Sequence, residues 1–442
     1  MKAQDYFYAL ADRLQSHIQV GEVFTCWYSG EESDFVRFNK SKIRQAGSVN
    51  QGLISVNLIK NQRQSSFEFG LSGDIERDGK TLEKLFSEQR KHVKHLPADP
   101  HVLFSESVHS SESTHESQLS SSESVVDQVL SLSKNLDLVG IFAQGPVYRG
   151  FANSMGQRNW FSKHTFNLDY SIYLRDDKAI KADYAGFVFE QNHLEREFEL
   201  VQDKLKVLRE PAQALKPGKY RVYLAPSAVN ELVGILNWGA FSEKAFQTKQ
   251  SPLSKMRDSA ARFNPMFSLG ESTAQGAGPL FQAQGFMKPG NVSLIQNGKL
   301  TNSLISPRTA KEYGLHTNGA NASESPEAFE LRAGDLSRND VLKKLDTGIF
   351  IGNLWYLNYS EWQSARITGM TRFACFWVEN GEIKKPLNVM RFDDSLYSIF
   401  GDNLEALTKE SDFILDPQTY GERSTCSAHL PGALVKEFRL TL

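Results

Sequence analysis

The chain has 442 residues, 40% hydrophobic and 11% aromatic, and its 50 Lys and Arg against 52 Asp and Glu give a formal net charge of −2. That balance argues against a protein that coats nucleic acid or an anionic membrane, because such binding is driven by a large basic excess, and it leaves room only for a local basic patch. The apolar content supplies packed cores and excludes wholesale disorder, and the length suggests about two or three domains.

Residues 5–20 place Phe7, Leu10, Leu14 and Ile18 at helical spacing, which predicts an amphipathic helix at the start of the fold. Asp5, Asp12 and Arg13 interrupt the region where a secretory signal needs an apolar core, so export by that route is not expected. The greasiest run, Gly348 to Leu357, falls well short of the ~18 apolar residues of a membrane helix. Cys26, Cys375 and Cys426 are odd in number and widely scattered, which fits a reducing compartment; a cytoplasmic location is expected.

From Val23 to Gly70, short β-branched and aromatic runs punctuated by Gly30, Gly47, Gly52 and Asn61-Gln62 predict an antiparallel meander of about four strands. Helical spacing returns between Asp74 and His95, so the sheet is covered by helices in an α+β arrangement. Ser105 to Ser124 is rich in Ser, Glu and His and cannot order itself by burying apolar surface, so it reads as a surface excursion or linker. His109 and His115 within it resemble metal ligands in composition only and read as solvated.

A helix over Val125–Leu136 and further strands follow, with turns at Met155-Gly156 and Asp176-Asp177. A charged helix, Leu194 to Leu215, alternates sign on a helical period and is the expected link between domains. The division is therefore 1–192, a connecting helix in 193–217, and 218–442. The second half opens with the strand Tyr220–Pro226 and a helix, passes a Gly, Ser and Gln-rich loop region from Leu253 to Gly290, and continues in many short strands. The expected fold is α+β, with an N-terminal sheet-plus-helices domain and a β-rich, barrel-like or sandwich C-terminal domain.

No phosphate-binding glycine loop, dinucleotide fingerprint, nucleophile elbow or His-Glu-x-x-His helix is present. The order of blocks is nonetheless distinctive. KLTNSLISPRTAKEYGLHTNGANA (Lys299–Ala322), GDLSRNDVLKKLDTGIFIGNL (Gly334–Leu354) and TGMTRFACFWVENGEIKKPLNVMRFDDSLYSIF (Thr368–Phe400), after a strand ending in Ala225-Pro226 and a helix, resemble the TldD/PmbA (TldE) family. Val36–Gln45 and Phe151–Phe166 resemble its first-domain strands.

In that family the TldD member carries His-Glu-x-x-x-His on the helix after the Ala-Pro strand, where two imidazoles hold zinc and the Glu activates water. The corresponding residues here are Asn230, Glu231 and Ile235, so the Glu remains and both imidazoles are replaced. The resemblance therefore implies a TldE-like member with no cofactor of its own, zinc being expected only in a TldD-type partner. Glu231 is the candidate catalytic residue if the chain is active. Cys426 and His429 are the candidate metal ligands outside the helix, and Cys375 reads as core. Arg372, Arg391 and His316 are candidate peptide contacts, although each Arg could instead anchor Asp393 or Asp394. Phe350, Trp355, Tyr356, Tyr359 and Trp362 could line a peptide cleft, a sheet core or a subunit contact.

The family acts in proteolysis and peptide maturation, with a cavity formed between chains. For this chain the resemblance implies a homodimer or a heterodimer with a TldD-like chain and a peptide substrate, with neither nucleic acid nor membrane as partner. An active zinc-dependent peptidase and a peptide-binding module without protease activity are the alternatives.

Overall fold

The structure, a computed structural model, describes residues 1–175 and 178–441; the turn expected at Asp176-Asp177 lies outside them. Phe7, Leu10, Ala11 and Leu14 form the buried stripe of helix α1 (Ala3–His17). Helix α2 (Ile75–His92) lies beside it, its start fixed by the Asp74 carboxylate, which accepts the backbone N–H groups of Glu76 and Arg77. Both helices close over Phe24, Cys26, Tyr28, Ile54, Val56 and Leu58 of a sheet.

That sheet begins with β1 (Glu22–Asn39), β2 (Lys42–Lys60) and β3 (Arg63–Gly70), three long strands where about four shorter ones were expected. The glycines do not turn the chain. Gly30 and Gly52 face each other across the β1–β2 ladder, and a Cβ on Gly30 would come within 2.4 Å of the Tyr28 hydroxyl. They are small because an aromatic ring lies over them. The turn is made instead by Lys40 and Ser41, both with φ near +50° (51° and 53°), the backbone twist a tight hairpin needs.

Strands β4 (Ser111–Thr114), β5 (Asp137–Asn153), β6 (Arg158–Arg175) and β7 (Lys178–Gly186) complete the sheet. Among the described residues it has seven strands in the order β3-β2-β1-β5-β6-β4, with β7 also paired to β6. Part of the Ser-rich excursion is thus a strand, parallel to Asn159–Ser162. It is ordered by hydrogen bonds rather than apolar burial: the Asn159 amide donates to His109 O and Ser111 Oγ, both at 2.7 Å.

Helices α3 (Ser122–Leu132) and α4 (Gln191–Leu208) cover the far end of the sheet, with Phe198 stacked on Tyr170 at 5.2 Å. The linking helix stops short of the expected Leu215 because Pro211 follows, and proline breaks the helix and disfavours it one residue earlier. The cluster beneath α4 takes in Ala374 and Phe376, so this helix touches both halves of the molecule.

The second half contributes β8 (Gly218–Leu224), β9 (Leu269–Glu271), β10 (Val292–Gln296), β11 (Lys299–Leu300), β12 (Ala328–Leu331), β13 (Gly348–Glu361), β14 (Arg366–Glu379), β15 (Glu382–Pro386), β16 (Arg391–Ser395), β17 (Leu404–Leu415) and β18 (Ser427–Leu440). Among the described residues these form one sheet of eleven strands, in which β18, β16, β14, β13 and β8 close a barrel-like ring because β8 pairs with both β13 and β18. Ile349, Ile351, Ile367, Phe392, Val435 and Phe438 fill its interior. The fold is α+β with a β-rich C-terminal half. No helix of the described residues is long and apolar enough to cross a membrane.

The two sheets are pinned where the β17–β18 connection crosses to the first sheet. Arg423, 3% exposed, donates from Nη1 to Gly145 O (3.1 Å) and Ser33 Oγ (3.3 Å), and from Nη2 to Thr165 O (2.9 Å). Ser33 in turn donates to Glu31 (2.7 Å), while the Gln51 amide bridges Glu31 (2.7 Å) and Gly421 O (2.6 Å).

Candidate functional site

The helix α5 (Pro226–Gly234) starts where β8 ends. Pro226 occupies the first turn, where its fixed φ suits the helix and its missing N–H leaves nothing unsatisfied. Ala228, Val229, Leu232 and Val233 are buried against the barrel core. Ser227, Asn230 and Glu231 occupy the other side at helical spacing. Asn230 is half-buried and Glu231 is exposed, and neither side chain has a hydrogen-bond partner among the described residues.

Across from α5 stands the edge of the first sheet. The Ser227 hydroxyl donates to Asp183 Oδ1 at 2.9 Å. Desolvation raises the Asp183 carboxyl to about 6; the Ser227 hydrogen bond and Lys181 oppose this, while the negative charges of Asp169 and Asp412 add to it. Lys181 is held by Asp169 at 3.1 Å, and Asp412 by Arg338. Crowding by protein also raises the Glu231 carboxyl above the ordinary carboxylate range, with Lys181 acting against it. The half-buried junction between α5 and this sheet edge, termed the cleft, is acidic, its carboxylates outnumbering their cations.

Zinc does not fit the candidate helix. Ile235 lies beyond the last α-helical residue, in a 3₁₀ turn, and its side chain is in the hydrophobic core at 4% exposure, while Tyr359 donates its hydroxyl to the Ile235 carbonyl at 3.2 Å. Only Asn230 and Glu231 of the three aligned residues reach the cleft. Among the described residues no group of three or more His, Cys, Asp or Glu side chains is arranged to hold a metal ion.

The remaining candidates are dispersed. Cys426 is exposed beside β18, its thiol raised to about 11 by surrounding protein first and by Glu327 second. His429 lies three residues on, inside β18, and is exposed. His316 is an exposed loop residue with no polar partner among the described residues. Arg372 stacks over Trp355 at 4.0 Å and Phe373 at 5.0 Å, and Arg391 extends into solvent. Neither anchors an aspartate: Arg366 takes Asp393, and Asp394 accepts backbone N–H groups of Arg439 (3.1 Å) and Ser395 (2.8 Å). The aromatic stretch also divides, Phe350 and Tyr359 packing on cores while Trp355 (45%), Tyr356 (73%) and Trp362 (36%) are exposed. Sequence reasoning missed Asp183, Lys181 and Arg423, which lie in ordinary strand and loop contexts with no local motif.

The model of the PmbA/TldA metallopeptidase C-terminal domain matches residues 217–442, and the chain belongs to the TldD/PmbA family. Its fold is that of TldE from Thermococcus kodakarensis, with a TM-score of 0.78 at 16% identity over 98% of this chain and 100% of that one. A "putative modulator of a DNA gyrase" from Thermotoga maritima is similar over 100% of both chains, with a TM-score of 0.76 at 14% identity. A protein of the same description from Bacteroides thetaiotaomicron is similar over 99% of this chain and 98% of that one, also with a TM-score of 0.76 and 14% identity. No curated protein matches the sequence.

Proposed function

We propose that this chain is a TldE-type, noncatalytic subunit of a metallopeptidase system in the cytoplasm, one that helps enclose and position a peptide while a TldD-type chain supplies the zinc. The observation that carries the reading is the state of α5: it keeps Glu231 on the cleft, offers Asn230 where an imidazole would bind metal, and buries Ile235 at the other ligand position. A catalytic zinc takes three protein ligands and a water, and these residues provide at most one carboxylate and one weak amide. What the cleft retains is polarity without a covalent or metal-centred chemistry of its own, which suits holding a peptide backbone. Association through the C-terminal half, by way of the exposed aromatics of β13, belongs to the same reading.

Elemental analysis of the purified chain, followed by a peptide-hydrolysis assay alone and with a TldD-type chain, tests it. The expected result is zinc well below one ion per chain, no hydrolysis alone, and stable association with hydrolysis on mixing. About one tightly held zinc per chain, lost on replacing Cys426 or His429, would sink the proposal.

A further inference from the structure

A groove of about 880 Å³ crosses the open face of the first sheet at the β1–β2 hairpin, roofed on one side by residues 417–421. Its charges are unevenly satisfied. Of its acids, Asp169 is paired with Lys181 at 3.1 Å and Glu31 accepts from Ser33 and Gln51, both at 2.7 Å. Its cations, Arg37 and Arg44, are exposed and have no ion pair, hydrogen bond or ring contact among the described residues. Lys40 and Lys42 at the hairpin tip are likewise exposed and unpartnered among the described residues. A chain whose net charge is −2 thus keeps a concentrated positive field at one end of one sheet.

Two further features restrict the occupant. Tyr420 lines the groove at 87% exposure, an aromatic surface with no hydrogen bond or ring contact among the described residues. The outer edge of β2 beside the groove carries no strand between Lys42 and Gly52 among the described residues, because β3 pairs only with Leu53–Lys60. That edge presents alternating backbone donors and acceptors, which an extended polypeptide matches and a phosphate backbone does not.

We infer that this groove docks an acidic, extended segment of another polypeptide, its carboxylates on Arg37 and Arg44 and its backbone along β2. Charge-assisted pairs to guanidinium groups favour carboxylates, and of the groove's two acids Asp169 is paired with Lys181 while Glu31 is buried and faces the charge of Arg423. The inference concerns a surface apart from α5 and stands whether or not a catalytic partner exists. It is tested on the chain alone, so it and the subunit reading can fail separately.

Fluorescence anisotropy with a labelled ten-residue peptide alternating Glu and Val, against one alternating Lys and Val, is the direct measurement. The acidic peptide should bind at least about tenfold more tightly, more so at low salt, and Arg37→Glu/Arg44→Glu should remove that preference. Arg37→Gln/Arg44→Gln, which adds no new charge, should weaken binding in the same direction and covers the case in which the reversal misfolds. Equal affinity for the two peptides overturns the inference, as does an acidic-peptide affinity untouched by both double variants. A DNA duplex that binds through the same arginines and displaces the acidic peptide also overturns it, in favour of a nucleic-acid surface.

Discussion

The seat of Arg423 and the open side of α5 lie on the same boundary between the two sheets, and they treat polar side chains in opposite ways. At Arg423 a buried guanidinium is answered by two carbonyls and two hydroxyls, and burial lowers its pKa to about 10 against the opposing charge of Glu31. At α5, Asn230 and Glu231 reach the cleft with no hydrogen-bond partner among the described residues. A satisfied buried polar group is explained by the fold it holds together, whereas a cleft group without a protein partner is open to water or to a ligand. The first region is structural, and the second is where the proposed peptide would lie.

The largest effect should come from breaking the first region. Arg423→Ala removes the donor for Gly145 and Thr165 and strips Glu31 of its countercharge, so a loss of about 3–5 kcal/mol is expected in urea denaturation followed by circular dichroism. A loss below about 1 kcal/mol would mean that the sheets are held by apolar contact alone, and the two regions would then not differ in kind.

The second effect sharpens the reading of α5. Asn230→His with Ile235→His restores the family's pair in sequence, but position 235 is in the core, where an imidazole loses apolar packing and finds no partner. The double variant should lose about 2–4 kcal/mol of stability in thermal melts and take up no zinc in a titration followed by calorimetry. Asn230→His alone, on the cleft side, should change stability little. Stoichiometric zinc uptake by the double variant would show that the helix turns Ile235 outward and that only the ligands have been lost.

How much of this was legible beforehand depends on the range of each interaction. Periodicity is local, so Phe7, Leu10 and Leu14 announced α1, and the β-branched runs announced a sheet-rich second half. The hairpin at Lys40-Ser41 was not legible, because neither residue is a Gly, Asn or Asp that readily takes positive φ, and Gly30 and Gly52, which looked like turns, are spaced for the Tyr28 ring instead. The Ser-rich segment misled for a similar reason: its order comes from Asn159, a neighbour about fifty positions away in sequence (separations of 50 and 48 to His109 and Ser111). Residues 230, 231 and 235 could be aligned from sequence, but whether Ile235 faced cleft or core depended on where α5 ends. Asp183 owes its character first to burial and then to Ser227, which opposes the rise, and to Asp169 and Asp412, which add to it, on three elements that no local pattern joins.

The smallest effect concerns that last residue and tests whether the cleft side is electrostatically poised. Asp183 holds its proton to about 6 in the folded chain against an ordinary value of 3.8, so between those values the folded state binds more protons than the unfolded one. The stability contributed by protonation is complete below the lower value and is lost as pH rises through the higher one. Asp183→Asn keeps an oxygen to accept the Ser227 hydroxyl while removing the charge. Thermal melts at intervals from about pH 4.5 to about 7.5 should therefore show the variant gaining on the parent chain as pH rises, with the difference levelling off above about 7. Parallel curves would mean that water enters the cleft freely enough to solvate Asp183, and that the acids facing α5 carry no stored repulsion for a bound ligand to relieve.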